Sequence, residues 1–319
     1  MNMTALNESH RLLIEADFAP VQGTRFQPTG FPDLGAAQFQ SAEGVPMLLV
    51  ESAQSMANHL EDVCWDHAAQ DWQAPLQGLP FVDVVNETDK NSITNSVLEA
   101  HRLNSPYITG GKLENGTPFL DLLKEEFGMT KTAGPDLNKV AGVCFKYDVN
   151  ALLHGVFLEK AAGVIRKPRA LTSFIEASEI KVAPSGGVKN DRVSAKGDKE
   201  AKRSAAEGFG NVPFHRDEYT GNITAFFNLD LAQIRGYGLS TEATELLITL
   251  SLYKIQKLLS LPFRPRTACD LEATAIRVKR PEGFELPTLK ELEAALPNLI
   301  KAASSDFAQP AKTTLSFKL

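Results

Sequence analysis

No run of apolar residues in this 319-residue chain approaches the roughly 18–20 needed to span a bilayer. Residues 1–11 are polar and lack the basic-then-apolar order of a secretory signal, so a cytoplasmic location without membrane contact is expected. Cysteine is scarce and odd in number. Cys64, Cys144 and Cys269 lie far apart, a pattern that fits reduced thiols better than a disulfide framework. Positive charge is short as well: 33 Lys and Arg against 39 Asp and Glu give a net charge of -6, whereas nucleic-acid-binding domains ordinarily present a basic surface. Catalytic signatures fail on inspection. The string HRDEYTGN (215–222) fits the kinase catalytic loop, but no glycine-rich phosphate loop precedes it and no D-F-G follows. Gly110-Gly111-Lys112 lacks the upstream glycine and the following Ser or Thr of a P-loop. His59, Cys64 and His67 offer no closing pair for a metal site, so no metal, catalytic residue or cofactor is expected. Asp33, in a Gly/Pro-rich loop, is either a turn-forming residue or the one acid to watch as a catalytic group.

What is present is a 43% hydrophobic composition, enough for a substantial core. The length suits about two domains, or one carrying large insertions. Alternation over 12–21 reads as an edge or first strand, and 23–35 as a shaped loop. Apolar residues at helical spacing mark 51–65, with Gln54, Ser55 and Asn58 on the polar side. Short helices are expected over 96–103 and 119–127, and strands over 140–147 and 151–158. Residues 169–177 fit a strand or a short helix. A long loop or hairpin tip is expected over 184–210, and a strong apolar run over 222–231. The best helix covers 243–259; 268–278 reads as a strand, and 288–303 as a helix opened by a Thr288/Glu291 capping box. This order predicts an α/β (α+β) sandwich with one split sheet enlarged by insertions.

Charge is segregated along the chain. Between residues 164 and 216 stand eleven Lys and Arg against six Asp and Glu, a basic insert in an acidic protein. Phosphates respond to the local field within about a Debye length, so an acidic total does not exclude a nucleic-acid contact. Arg25, Phe26 and Gln27 set a cation, a stacking surface and an amide side by side. Gln54, Ser55 and Asn58 lie near a helix start, where backbone N–H groups favour phosphate. Arg264 and Arg266 bracket Pro265 in a rigid basic turn.

Seven strings resemble the backbone subunit of type I-U (I-G) CRISPR Cascade: RFQPTGFPDLG (25–35), LLVESAQSMANHLE (48–61), EAHRLNSPYI (99–108), LHGVFL (153–158), PRAL (168–171), SFIEA (173–177) and RTACDLE (266–272). The resemblance implies a single RAMP-superfamily domain over 1–319: a modified RRM/ferredoxin-like palm with inserted helical and thumb-like segments. A helical, finger-like insertion is expected over 60–140 and a basic thumb over 180–213. It further implies a non-catalytic subunit that stacks with copies of itself along the CRISPR RNA and presents the guide to target DNA. The expected partners are the large subunit, the subunits that bind the RNA ends, and a recruited helicase–nuclease. The RNA-binding set expected on these grounds is Arg25, Phe26, Gln27, Gln54, Ser55, Asn58, His59, His154, Arg166, Lys167, Arg169, Lys189, Arg192, Lys196, Arg264 and Arg266. The alternatives are a metal-dependent ribonuclease of the same fold using Asp33, and an interaction scaffold that makes no direct RNA contact.

Overall fold

The computed structural model describes residues 3–31, 35–130, 132–163, 165–193, 207 and 209–319; Asp33 and Lys196 lie outside them. Along Arg11–Pro20 (β1), Leu12, Ile14, Ala16 and Phe18 alternate onto one buried face, as a period of two demands. Six further strands join it: Gln38–Gln40 (β2), Pro46–Glu51 (β3), Leu171–Lys189 (β4), Val212–Asp230 (β5), Phe263–Arg266 (β6) and Cys269–Arg280 (β7). All pair antiparallel, in the order β6-β7-β1-β5-β4-β3-β2. β1 is therefore first in the chain and central in the sheet. The run β7-β1-β5-β4 is the strand order of a ferredoxin-like β-α-β-β-α-β unit, the palm expected from the sequence.

Five helices carry much of the remaining core: Ala53–Asp62 (α1), Phe119–Glu126 (α2), Leu137–Tyr147 (α3), Thr241–Leu259 (α4) and Leu289–Ala303 (α5). α4 is buried almost all round and packs against both α1 and α5. Its cap is Ser240, whose Oγ accepts from the Ala243 N–H at 3.2 Å. α5 opens with the expected capping box, Thr288 and Glu291 each accepting the other's backbone N–H. No helix among the described residues is long and apolar enough to cross a membrane.

Three expected elements differ. Residues 140–147, expected as a strand, lie in α3, because Val140, Cys144 and Tyr147 recur at helical spacing on one buried face and Asp136 caps the start. An apolar run this short carries no decisive period. The strand expected over 151–158 begins as a helical turn, Asn150–Leu153, and only Val156–Leu158 is extended, paired with Ile165–Lys167. The helix expected over 96–103 shrinks to a 3-10 turn at Arg102–Asn104. Asn95 Oδ1 draws in the N–H groups of Val97 and Leu98 at 3.0 Å each, and Arg102 takes a left-handed φ of 48°.

Between α1 and β4 the chain builds a mixed layer. Its strand Phe81–Asn86 pairs with Ser92–Asn95 on one side and, in parallel, with the returning Lys312–Phe317 on the other. Trp65, Trp72 and Phe81 form an edge-to-face cluster at its base, with ring centroids 5.3–6.1 Å apart. β4 and β5 stay paired from Leu171↔Leu229 out to Lys189↔Val212. The pairing breaks between Ser178 and Lys181, where Glu179 has φ 54°. Below this bulge alternate residues are buried; above it β4 is largely solvent-exposed. At about 3.3 Å per residue the projecting arm is roughly 35 Å long. The loop expected from 184 thus starts later, because 184–189 remain in the ladder. Gly186 has to be glycine there: a Cβ would lie 2.6 Å from the Phe214 carbonyl oxygen.

Candidate nucleic-acid interface

An open groove of about 790 Å³ runs between α1, the Arg102 turn and the ribbon formed by Val156–Leu158 and Ile165–Lys167. Five positions expected from distant parts of the sequence meet in its walls: Gln54, His154, Arg166, Lys167 and Arg169. Arg169 Nη2 donates to Gln54 Oε1 at 2.6 Å, which ties the end of the ribbon to the first turn of α1. His101, Arg102 and Lys160 also line the groove, and among the described residues Glu159 is the one acid that does. Lys160, Arg166, Lys167 and Arg169 form no ion pair with any described carboxylate. Cations left unneutralised in a concave wall focus a positive field at its mouth.

The ribbon owes its position to Gly155. Its φ is 79°, and a Cβ there would stand 2.8 Å from the Lys167 carbonyl oxygen, so only glycine lets the two backbones pass this closely. Strand alternation then divides the ribbon: Val156, Leu158 and Ile165 are buried, whereas Phe157 and Arg166 face outward as direct cross-strand partners.

Beneath the groove lies a buried polar network. Glu61 and Arg102 form a bidentate pair at 2.6 and 2.7 Å, and Arg102 Nη1 also donates to the Gly155 carbonyl at 3.1 Å. Lys254, fully buried on α4, donates to Asn150 Oδ1 at 2.6 Å and lies 2.9 Å from His154 Nε2. Burial, reinforced by Lys254, Arg102 and Arg169, holds the His154 imidazole well below its usual range, so it is neutral. Burial also pushes the Asp148 carboxyl up to about 7, with Glu61 adding to the shift. Its unfolded value is near 3.9. The stability that Asp148 contributes is therefore full below about pH 4, declines as pH rises, and is gone above 7. Asp148→Asn is expected to remove this decline, on the order of 4 kcal/mol, in urea unfolding followed across pH 4–8. An unchanged pH slope would show that the decline arises elsewhere.

Other expected positions lie apart from the groove. Phe26 is completely buried and bridges to Tyr219 through its backbone, so its ring presents no stacking surface. Arg25 reaches Glu218 at 3.4 Å from an exposed position, and Gln27 backbone atoms bond to Ala268 and Arg266. Arg266 turns inward to the buried Glu51 and to the Val50 carbonyl, while Arg264 pairs with Asp270 at the surface. His59 is half-buried, edge-on to Phe263 at 4.7 Å. Ser55 and Asn58 stay on the α1 flank, where Asn58 Oδ1 accepts from Gln54 at 3.2 Å. His154 lies under the groove surface, 1% exposed. Lys189 and Arg192 stand exposed at the far end of the β4–β5 arm.

The decoys resolve structurally. His215, Arg216 and Asp217 lie within β5 and not in a catalytic loop. Cys64 is buried against the Leu60 carbonyl, its thiol pushed up to about 11 by burial. No group of three or more His, Cys, Asp or Glu among the described residues could hold a metal ion. Sequence reasoning missed Lys160, Phe157 and the Glu61–Arg102–Lys254 network. Lys254 did leave a signal: it falls four residues after Leu250 and four before Leu258, a charge inside an apolar stripe.

The sequence model of the family described as CRISPR-associated protein GSU0053 matches residues 12–182, more than half of the chain. The chain belongs to that family. The matched span takes in most of the groove wall of this CRISPR-associated protein, from Gln54 to Arg169. No curated protein matches it. Among solved structures, a chain of a CRISPR RNA-guided surveillance complex, pre-nicking, aligns over 92% of this chain and 89% of its own, at 11% identity and a TM-score of 0.43. A chain of another CRISPR RNA-guided surveillance complex covers 92% and 84%, at 12% identity and a TM-score of 0.37. Csc2 of Thermofilum pendens covers 96% and 80%, at 10% identity and a TM-score of 0.32. Likenesses this distant leave the fold assignment resting on the strand order described above.

Proposed function

We propose that this protein is a guide-RNA-binding backbone subunit of a type I CRISPR surveillance complex. The observation that carries the reading is the groove: in a chain of CRISPR-associated family and net charge -6, unneutralised Lys and Arg residues converge on one concave surface. Lys160, Arg166, Lys167 and Arg169 take the RNA phosphates there, and Gln54, Ser55 and Asn58 supply polar contacts along α1. The whole chain acts as one RAMP-type unit. The layer between α1 and β4 is its finger-like insertion, and the β4–β5 arm, with Lys189 and Arg192 near its end, is its thumb. Copies stack along the guide, and the acidic remainder of the surface packs against neighbouring subunits.

The mechanism in this reading is recognition without bond breaking. A guide held pre-ordered by backbone contacts loses less entropy on pairing, and base pairing with target DNA supplies specificity. The large subunit and the subunits at the RNA ends complete the complex, and a recruited helicase–nuclease cuts the DNA. The test is purification from cells that express the cognate guide, with mass and the 260/280 nm absorbance ratio as readouts. A large, nuclease-sensitive particle containing RNA of uniform length is expected. A nucleic-acid-free monomer under those conditions would sink the proposal that this subunit holds the guide.

A further inference from the structure

The groove contains one feature that phosphate binding does not use. Phe157 is 37% exposed, an aromatic ring in a wall that also presents the cations Lys160, Arg166, Lys167 and Arg169. Its cross-strand partner Arg166 lays its guanidinium over the ring, 4.3 Å from the centroid. The backbone fixes this pair. Val156, Leu158 and Ile165 anchor the opposite face of the ribbon in the core, and Arg102 donates to the Gly155 carbonyl at its root. The result is a flat, preformed stack at the surface of a positively charged groove.

We infer that the Phe157–Arg166 pair is a stacking platform for an unpaired nucleobase of single-stranded RNA, with the edge of the Arg166 guanidinium and with Lys160, Lys167 and Arg169 holding the adjoining backbone. The inference rests on the proposed RNA-binding function and adds to it a base contact that is independent of sequence. Both members suit the task. Nucleobases stack on Phe rings and on the planes of Arg guanidinium groups alike, and every base offers a π-face. The surroundings select the ligand class. A partner has to alternate negative charge with flat apolar surface to satisfy four cations and an aromatic ring together, and single-stranded nucleic acid does so at every residue. An apolar protein segment would leave the cations unmatched in a partly desolvated wall.

The experiment compares fluorescence anisotropy of oligoadenylate and of its abasic ribose-phosphate counterpart on the wild-type protein, Phe157→Ala and Phe157→Trp. The Ala variant is expected to bind oligoadenylate roughly 5- to 150-fold more weakly, the range for loss of one stacked base. Its salt slope and its affinity for the abasic strand should match wild type, because no phosphate contact is removed. Phe157→Trp should bind oligoadenylate at least as tightly as wild type. Unchanged oligoadenylate binding by Phe157→Ala overturns the platform while leaving the RNA-binding reading in place. Equal loss for both strands also overturns it, since Phe157 would then only be holding the ribbon in shape. Wild-type protein that binds neither strand removes the RNA-binding function and the platform together. An Ala variant that alters only self-association assigns Phe157 to a protein contact and overturns the inference as well.

Discussion

Replacing Lys160, Arg166 and Lys167 together with Gln is expected to weaken binding of single-stranded RNA by roughly 50-fold at physiological salt. The estimate follows from counterion release. Each phosphate neutralised on a single strand contributes about 0.7 to the slope of log K against log salt, so losing three contacts flattens the slope by about 2. Taken between about 1 M and 0.15 M salt, that difference corresponds to between one and two orders of magnitude in affinity. The variant should keep its fold, because the Lys160 and Arg166 side chains are solvent-exposed and none of the three forms an ion pair with a described carboxylate. Specificity for the groove is checked with Lys279→Gln, Lys290→Gln and Lys301→Gln, which remove the same charge from exposed positions that do not line it. If the groove and control triples lose affinity equally, only net charge is being read, and the groove is not the RNA site. If the groove triple matches wild type in both slope and affinity, the phosphates lie elsewhere.

The experiment bears on an apparent contradiction in the composition. A chain with net charge -6 is an unpromising RNA binder until its charges are placed. The structure places several acids of the sheet in local pairs: Asp17 with Arg277, Asp230 with Arg11, Glu218 with Arg216 and Arg25. Arg277 and hydrogen bonding from Thr224 keep the Asp17 carboxyl below its ordinary range despite some desolvation. Paired acids contribute little field at a distance, whereas the groove cations are not cancelled locally. With a Debye length of about 8 Å, a phosphate in the groove responds to its own wall and not to the chain total.

The palm was legible in sequence because its signals are periodic. β1 shows a clean alternation, α4 a long apolar stripe, and α5 a Thr288/Glu291 capping box; all three appear close to where the pattern put them. The region from 96 to 158 was less legible because its elements are short and governed by side-chain-to-backbone bonds. Asn95 and Asp136 each redirect the chain by capturing N–H groups, an effect no hydrophobic period records. In the candidate site, Gln54, Arg166, Lys167 and Arg169, singled out on residue chemistry, meet in the groove walls although more than a hundred residues separate the first from the others. The same chemistry did not separate surface from interior. Phe26 and Arg266 look like RNA-contacting residues in sequence, yet both turn inward, one onto the core and the other onto Glu51. Phe157 lies within the strand expected over 151–158, and only the pairing with Arg166 shows which way it faces.

Arg102→Met is expected to destabilise the fold by about 3–5 kcal/mol in urea unfolding, the cost of leaving a buried charge without its counter-ion. Arg102 and Glu61 are only 4% and 3% exposed at their side chains, and the pair is bidentate, so Glu61 would have neither water nor a guanidinium to replace the lost bonds. Burial already pushes the Glu61 carboxyl up, with Arg102 the main opposing influence, and its removal would drive Glu61 to take up a proton. Adding Glu61→Leu to Arg102→Met removes the stranded carboxyl and should recover most of the loss, because apolar replacements of a buried pair are often near neutral. The two changes are thus strongly non-additive, and a double-mutant cycle reads the coupling directly. A loss under about 1 kcal/mol in Arg102→Met would mean that water enters the site and the pair is not structural. The single variant should also weaken RNA binding, since Arg102 holds the Gly155 carbonyl at the root of the ribbon that carries Phe157 and Arg166. In the double variant stability and RNA affinity separate: packing is restored, but the hydrogen bond to Gly155 is still missing. Recovered stability with RNA affinity still reduced is the expected result, and it would identify the buried pair as the support that positions the groove wall.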